Sequence, residues 1–324
     1  MKGSRESGAG RWSVIQVPTL SFYEYCELLE LDRPDIPTDL KVTDLLFKTQ
    51  IERTQIMIQL SKVQNHFIRY LQVGGFPELA LADNDLMAQQ IMREDVVDKV
   101  LKRDLPSLYS IRNATELERI FLYLCNLSSE IISVDAITKE LNGVSRITVE
   151  NYIQYLESAN LIYQSWPVDM AGKKILKARP KIYIADAAIR NAVLMDDSIA
   201  SDPVGMGKVV ETAVYKHVSA FYYKVATSVG YFRGGKKNKE IDVVVNYPKV
   251  KNILIEVKYR EGAPIADNDA IVELCEEASA AIVITKSAND FGVHNTPSGR
   301  ELLRIPAFAF LYLLGNAEKH GYYG

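Results

Sequence analysis

Two short runs, EIDVVV at 240–245 and NILIEV at 252–257, constrain this chain more than any other stretch. Both are rich in β-branched residues, and a polar turn containing Pro248 separates them, so they read as an antiparallel hairpin. Successive side chains of a strand point to opposite faces. Pairing Val245 with Ile253 then sends Ile241, Val243, Val245, Ile253, Ile255 and Val257 into a core. The same register gathers Glu240, Asp242, Glu256 and Lys258 on the other face, with Asp242 opposite Glu256 and Glu240 opposite Lys258. A slip of one residue would undo every one of these assignments.

The rest of the chain sets the bounds. With 324 residues, 48% of them hydrophobic and 24% charged, it holds enough apolar material for two or three small domains with their own cores. A formal net charge of -3 means that any nucleic-acid contact must come from local basic patches. Cys26, Cys125 and Cys275 are scattered and there are four histidines, which speaks against a zinc site or a disulfide framework and fits a reducing cytoplasm. The first twelve residues lack the apolar stretch of a signal peptide, and the run at 307–314 is too short to span a bilayer, so no membrane association is expected.

Four segments follow from the patterning. Residues 1–44 hold a short apolar strand at 14–17, a helix whose Ser21 and Glu24 make a capping box, and a proline-containing linker from 33 onward. Such a piece has too little apolar surface for a core and must pack on a neighbour or a missing domain. Residues 45–115 are helical, interrupted by Gly74-Gly75-Phe76-Pro77-Glu78, which ends one helix before the next near 84–102.

Residues 116–190 have the rhythm of a winged helix-turn-helix: a helix to about 127, a second capped by Ser133, a turn at Gly143, and a third capped by Ser145 that reaches 159. In the third helix Val149, Tyr152, Ile153, Leu156 and Ala159 form the buried stripe. Arg146, Thr148, Asn151 and Tyr155 face outward, where a recognition helix would meet a major groove. Two strands around Ala171-Gly172 would make the wing. Between 170 and 181 it carries Lys173, Lys174, Lys177, Arg179 and Lys181 with no acid, a patch suited to phosphates. Glu150 and Glu157 dilute the helix face, and the same fold also serves as a domain interface, so both readings stay open.

Residues 191–324 read as a compact α/β domain with a mixed sheet. A helix, GKVVETAVYKHVSAFYY, precedes the hairpin and sets Glu211 among valines. Beyond the hairpin come a helix at 267–277, a buried strand at 281–285 and an apolar stretch at 305–314. His217, Cys275 and Tyr259 have no evident partners and read as packing or surface residues.

The spacing of Asp242, Glu256 and Lys258 resembles that of the PD-(D/E)xK nucleases. More specifically, YLQVGGFPEL at 70–79, KIYIAD at 181–186, GKVVETAV, NKEIDVVV and ILIEVKYR occur in one order. That set resembles the prokaryotic AAA-type ATPases whose C-terminal half is called domain of unknown function 4143. The resemblance implies an α/β multidomain chain in which a helical and winged helix-turn-helix region is followed by a restriction-endonuclease-like mixed α/β domain. Residues 1–44 are similar to the end of that family's ATPase domain, with Arg11 at the place of its late arginine. No G-x-x-x-x-G-K-[ST] sequence occurs, so this chain is expected to have no ATP site and no ATPase activity alone.

On that reading Asp242 and Glu256 supply oxygen ligands for Mg²⁺ or Mn²⁺, the carbonyl of Val257 completes the set, and Glu211 is an additional helix acid. Lys258 would orient the attacking water or stabilise the transition state, with Glu240 as an outer base. From 233 to 260 eight basic residues stand against three acidic ones, which suits a polyanion such as DNA. The alternative is a catalytically silent module that docks a protein partner or the missing ATPase core, with Glu240 and Lys258 paired as a plain cross-strand salt bridge.

Overall fold

A computed structural model describes residues 17–170, 175, 178–196, 199–223, 225–234, 239–247 and 251–321. Arg11, most of the apolar run at 14–17, and Lys173, Lys174 and Lys177 lie outside the described residues. The Ser21–Glu24 capping box forms and starts α1 (Phe22–Leu28). A second box, Thr49 with Glu52, starts α2 (Gln50–Leu60). Next, α3 (Phe67–Val73) stops at Gly74, whose φ of 73° is a left-handed conformation that favours glycine. Pro77 then opens α4 (Pro77–Ala80). Asn84 caps α5 (Asp85–Ile91), which continues through two π-wound stretches into α6 (Leu105–Tyr109).

The middle of the chain runs α7 (Ala114–Asn126), β1 (Glu130–Ile131), α8 (Val134–Glu140), α9 (Arg146–Ser158), β2 (Ile162–Ser165) and β3 (Lys181–Ile184). The three strands form an antiparallel sheet in the order β1-β3-β2. Ser145 caps α9 through its hydroxyl, as expected, whereas Ser133 precedes α8 without a side-chain cap bond. Val149, Tyr152, Ile153 and Leu156 are buried. Tyr155 differs from expectation: its ring stacks on Tyr109 at 3.8 Å, because the end of α6 covers that side of α9.

Two helices, α10 (Ala187–Leu194) and α11 (Pro203–Tyr222), lead into a six-stranded mixed sheet. Its members are β4 (Ser228–Gly234), β5 (Lys239–Asn246), β6 (Asn252–Val257), β7 (Ala278–Thr285), β8 (Gly292–Asn295) and β9 (Glu301–Pro306), in the order β4-β5-β6-β7-β9-β8. Between them α12 (Ala270–Leu274) packs on one face, and α13 (Ala307–Lys319) ends the chain on the other. The hairpin register is the expected one, Val245 opposite Ile253 and Val243 opposite Ile255. β6 and β7 are parallel, so the hairpin sits inside the sheet rather than at its edge.

One expectation is overturned. Val243, Val245, Ile253 and Ile255 join the large core, but Ile241 lies with Val244 and Leu254 in a second cluster on the opposite face. A β-bulge is the reason: Gly230 pairs with Val244 and Phe232 with Ile241, so two steps on β4 meet three on β5. The extra residue at Asp242-Val243 breaks the alternation. The sheet is therefore covered on both faces, and the acidic residues gather at the bulged end of the hairpin instead of on an open surface.

The large core passes without interruption from Phe22 to Ala317, across all four segments read from the sequence. Its ends meet where α1 lies on α13, with the rings of Tyr23 and Tyr312 5.1 Å apart. A Cβ at Gly315 would come within 2.6 Å of the Tyr23 Cβ, so glycine sets how closely these helices approach. Beyond β2, Pro167 bridges to Tyr231 on β4, and Val168 N donates to the Tyr231 carbonyl at 2.8 Å. This contact fastens the segment after β2 to the edge of the six-stranded sheet.

Candidate carboxylate site and a second buried cluster

Three strands and one helix position the site. β5 contributes Glu240 and Asp242 at the bulge, β6 contributes Glu256, and α11 presents Glu211 from an otherwise apolar stretch. The first residue of β3, Lys181, reaches into their midst with its side chain only 4% exposed. Its Nζ lies 2.8 Å from Glu211 Oε1, 2.8 Å from Glu240 Oε1 and 3.1 Å from Asp242 Oδ1. Tyr183, two residues further along β3, donates its hydroxyl to Glu211 Oε1 at 2.9 Å. The other oxygen of Asp242 accepts from the backbone N–H of Val257 at 2.8 Å.

Lys181 departs from expectation. By sequence it belongs to a run of basic residues suited to phosphates, yet it is sunk among carboxylates because position 181 already belongs to the sheet. Burial alone would depress its pKa, but Asp242, Glu211 and Glu240 outweigh that and raise it, so the ammonium is held charged. Glu211 shifts up to about 7, through desolvation first and repulsion from Asp242 second. Glu256 is pushed up to about 8 by burial and then by Asp242. Its Oε2 is buried with no hydrogen-bond donor among the described residues. Three carboxylates thus contact one ammonium, with Glu256 beside Asp242, and the cluster carries more negative charge than its own lysine neutralises.

Lys258 stands apart from this group. Its Nζ pairs with Asp269, the residue preceding α12, and also lies 3.4 Å from the Pro264 carbonyl. Glu240 and Lys258 therefore do not form the cross-strand bridge, since each has turned to another partner. Among the described residues, no group of three histidine, cysteine, aspartate or glutamate side chains is arranged to hold a metal ion. On α9, Arg146 is exposed and paired with Asp135 and Glu150, Thr148 takes part in the Ser145 cap, and Asn151 is exposed.

A second buried polar cluster lies at the Gly-Gly turn, which reads from sequence only as a helix connection. Asp186, the last residue of KIYIAD, accepts at Oδ2 from Lys216 Nζ (2.9 Å), Thr19 Oγ1 (2.6 Å) and Gly75 N (3.1 Å). Its Oδ1 caps α10 through Ala188 N. Lys216 also donates to the Leu20 carbonyl and to the Tyr70 hydroxyl. A Cβ at Gly74 would fall 1.9 Å from Asp186 Oδ1, and one at Gly75 2.3 Å from the Leu20 carbonyl oxygen. Next to Lys216, His217 accepts from Phe22 N at Nε2 and contacts the Ala213 carbonyl through Nδ1. Desolvation, then the Lys216 charge, lower its pKa to about 3, so the ring is neutral.

These landmarks coincide with two family models. Residues 206–308 match the model described as Domain of unknown function (DUF4143), and residues 64–199 match Domain of unknown function (DUF8612). The first contains all of the carboxylate residues and Lys216; the second contains Lys181, the Gly-Gly turn and Asp186. Relatives include an uncharacterized protein of Haemophilus influenzae, 24% identical over 47% of this chain and 38% of its own length. Two uncharacterized proteins of Methanocaldococcus jannaschii, MJ1544 and MJ1637, are 28% and 22% identical over 58% of this chain. The match covers 40% and 39% of those two proteins, so the chain spans about two fifths of the length of the curated relatives it matches. No solved structure matches. Among the described residues, no helix is long and apolar enough to cross a membrane.

Proposed function

We propose that this chain handles nucleic acid, and that its carboxylate cluster takes up a hard divalent cation for phosphodiester cleavage. The observation that carries this reading is the orphaned oxygen of Glu256, buried beside Asp242 in a cluster with excess negative charge. A buried acceptor without a donor is costly to leave unmet. An all-oxygen donor set suits Mg²⁺ or Mn²⁺. Asp242 and Glu256 are the residues that would hold the ion, and Glu211 and Glu240 stand next to them. When bound, such an ion neutralises charge on the phosphoryl oxygens and promotes ionisation of a water. Asp242 is oriented for that task by the Val257 N–H. Lys258, held by Asp269, serves the neighbouring α12 in this arrangement.

Two further features support the nucleic-acid reading. The order helix, strand, helix, helix, strand, strand, with sheet order β1-β3-β2, is consistent with a winged helix-turn-helix. A hairpin followed by a parallel strand over α11 is consistent with a restriction-endonuclease-like core. Descent from an AAA-type ATPase belongs to the same proposal.

The test is calorimetric titration of Mn²⁺ into wild type and Asp242→Ala. Binding to wild type that disappears in the variant is expected, and absence of binding in both would sink the cation reading. A second reading has its own support: the wing root is pinned to β4 and Tyr155 is covered by Tyr109, which fits a protein-interaction module. Duplex DNA retardation that survives neutralising Lys173, Lys174 and Lys177 together would clear the wing of DNA contact, and absence of retardation in wild type would favour that module.

A further inference from the structure

The proposed ligand set is not self-contained, because the cation that actually sits among these carboxylates is supplied from outside the hairpin domain. Lys181 belongs to β3 of the three-stranded sheet, whereas its three carboxylate partners lie on α11 and β5. We infer that Lys181 is the internal counter-cation of this site: its ammonium takes by charge the place of a divalent ion, so loading the site requires Lys181 to withdraw. This inference rests on the reading of the cluster as a cation site.

Three observations carry it. The ammonium is within 3.1 Å of three separate carboxylates, one oxygen of which, Asp242 Oδ1, belongs to the ligand pair itself. Its side chain is 4% exposed, so in this position it offers no donor to a substrate phosphate or to an attacking water. The strand that carries it is tethered just before the lysine. Lys181 is the first residue of β3, directly after Arg179, whose carbonyl accepts the Tyr231 hydroxyl at 2.7 Å, and Pro180, whose carbonyl accepts Ile132 N at 3.0 Å. Those bonds tie the approach to Lys181 to β4 and to β1. Two cations cannot share Asp242 Oδ1 at contact distance without strong repulsion in a buried setting.

The experiment is Mn²⁺ calorimetry on wild type, Lys181→Met and Lys181→Arg, with folding of each checked by its near-ultraviolet circular dichroism. Lys181→Met is expected to bind Mn²⁺ at least about tenfold more tightly than wild type, given the repulsion it removes. Lys181→Arg keeps the charge and should stay near wild type. If Lys181→Met does not fold, the double variant Lys181→Met/Glu211→Gln removes the lysine together with one partner and takes its place. Equal affinity in wild type and the Met variant would leave the cation site standing and overturn the role of Lys181. No Mn²⁺ binding in any of the proteins would overturn both.

Discussion

Two lysines in this molecule are buried to the same degree, each with a side chain 4% exposed, yet their surroundings are opposites. Lys216 meets one carboxylate, Asp186, and its remaining protons go to a carbonyl and a tyrosine hydroxyl. The cluster is electrically balanced and its groups are all matched. Lys181 meets three carboxylates, with a fourth nearby that has an orphaned oxygen. Balanced buried charge locks pieces of chain together, whereas unbalanced buried charge stores a demand for something from outside. The first is a keystone for residues 19–22, 74–75, 186 and 216; the second has the character of a site.

The keystone should be the more fragile of the two. Asp186→Ala leaves Lys216 buried without a counter-charge and is expected to cost about 3–5 kcal/mol in chemical denaturation. A loss below that of the matching change at Glu211 would break the comparison. Gly74→Ala places a Cβ against Asp186 and requires a left-handed backbone, so a loss of roughly 1–3 kcal/mol is expected from the same measurement.

The two clusters should also respond to pH in opposite windows. The folded-state pKa of Asp186 is lowered from 3.8: burial opposes this, but Lys216 and the hydrogen bonds prevail. Its contribution is present above the unfolded value and is lost as pH falls through the lowered one. Glu256 and Glu211 are raised from 4.5 to about 8 and about 7, so the native state holds extra protons between those values. Stability from them is full below about pH 4.5 and declines as pH rises toward 8. Melting temperatures from pH 5 to 8 should fall in wild type and fall less in Glu256→Gln; a rise in wild type would refute this. The smallest effect is expected for Glu211→Gln at pH 8, about 1 kcal/mol or less, because the lost contact to Lys181 is offset by relief of repulsion with Asp242.

The sequence made the hairpin and its register legible because β-branched alternation leaves few alternatives, and Val245 does pair with Ile253. The capping boxes at Ser21 and the cap at Ser145 were equally readable, since they are local. The bulge at Asp242-Val243 was not, because the additional residue shows only against β4. Lys181 was missed for a related reason. A lysine among lysines reads as surface, and its burial depends on α11 and β5, distant in sequence. The Gly-Gly turn does carry a local signal: two glycines followed by Phe76-Pro77 match a place where Asp186 and Leu20 leave no room for a Cβ.

The meeting of α1 with α13 has a consequence for how the chain is made. Thr38, just beyond α1, accepts a bond from Asn316 across 278 residues. A ribosome adds roughly 5–20 residues each second, so the apolar face of α1 waits on the order of tens of seconds for its cover. During that interval Phe22, Tyr23 and Tyr25 have no permanent shelter from α13. Until α13 is made, the apolar face of α1 therefore lacks this partner, and a chaperone that binds aromatic segments during synthesis would shelter it better than one acting after release.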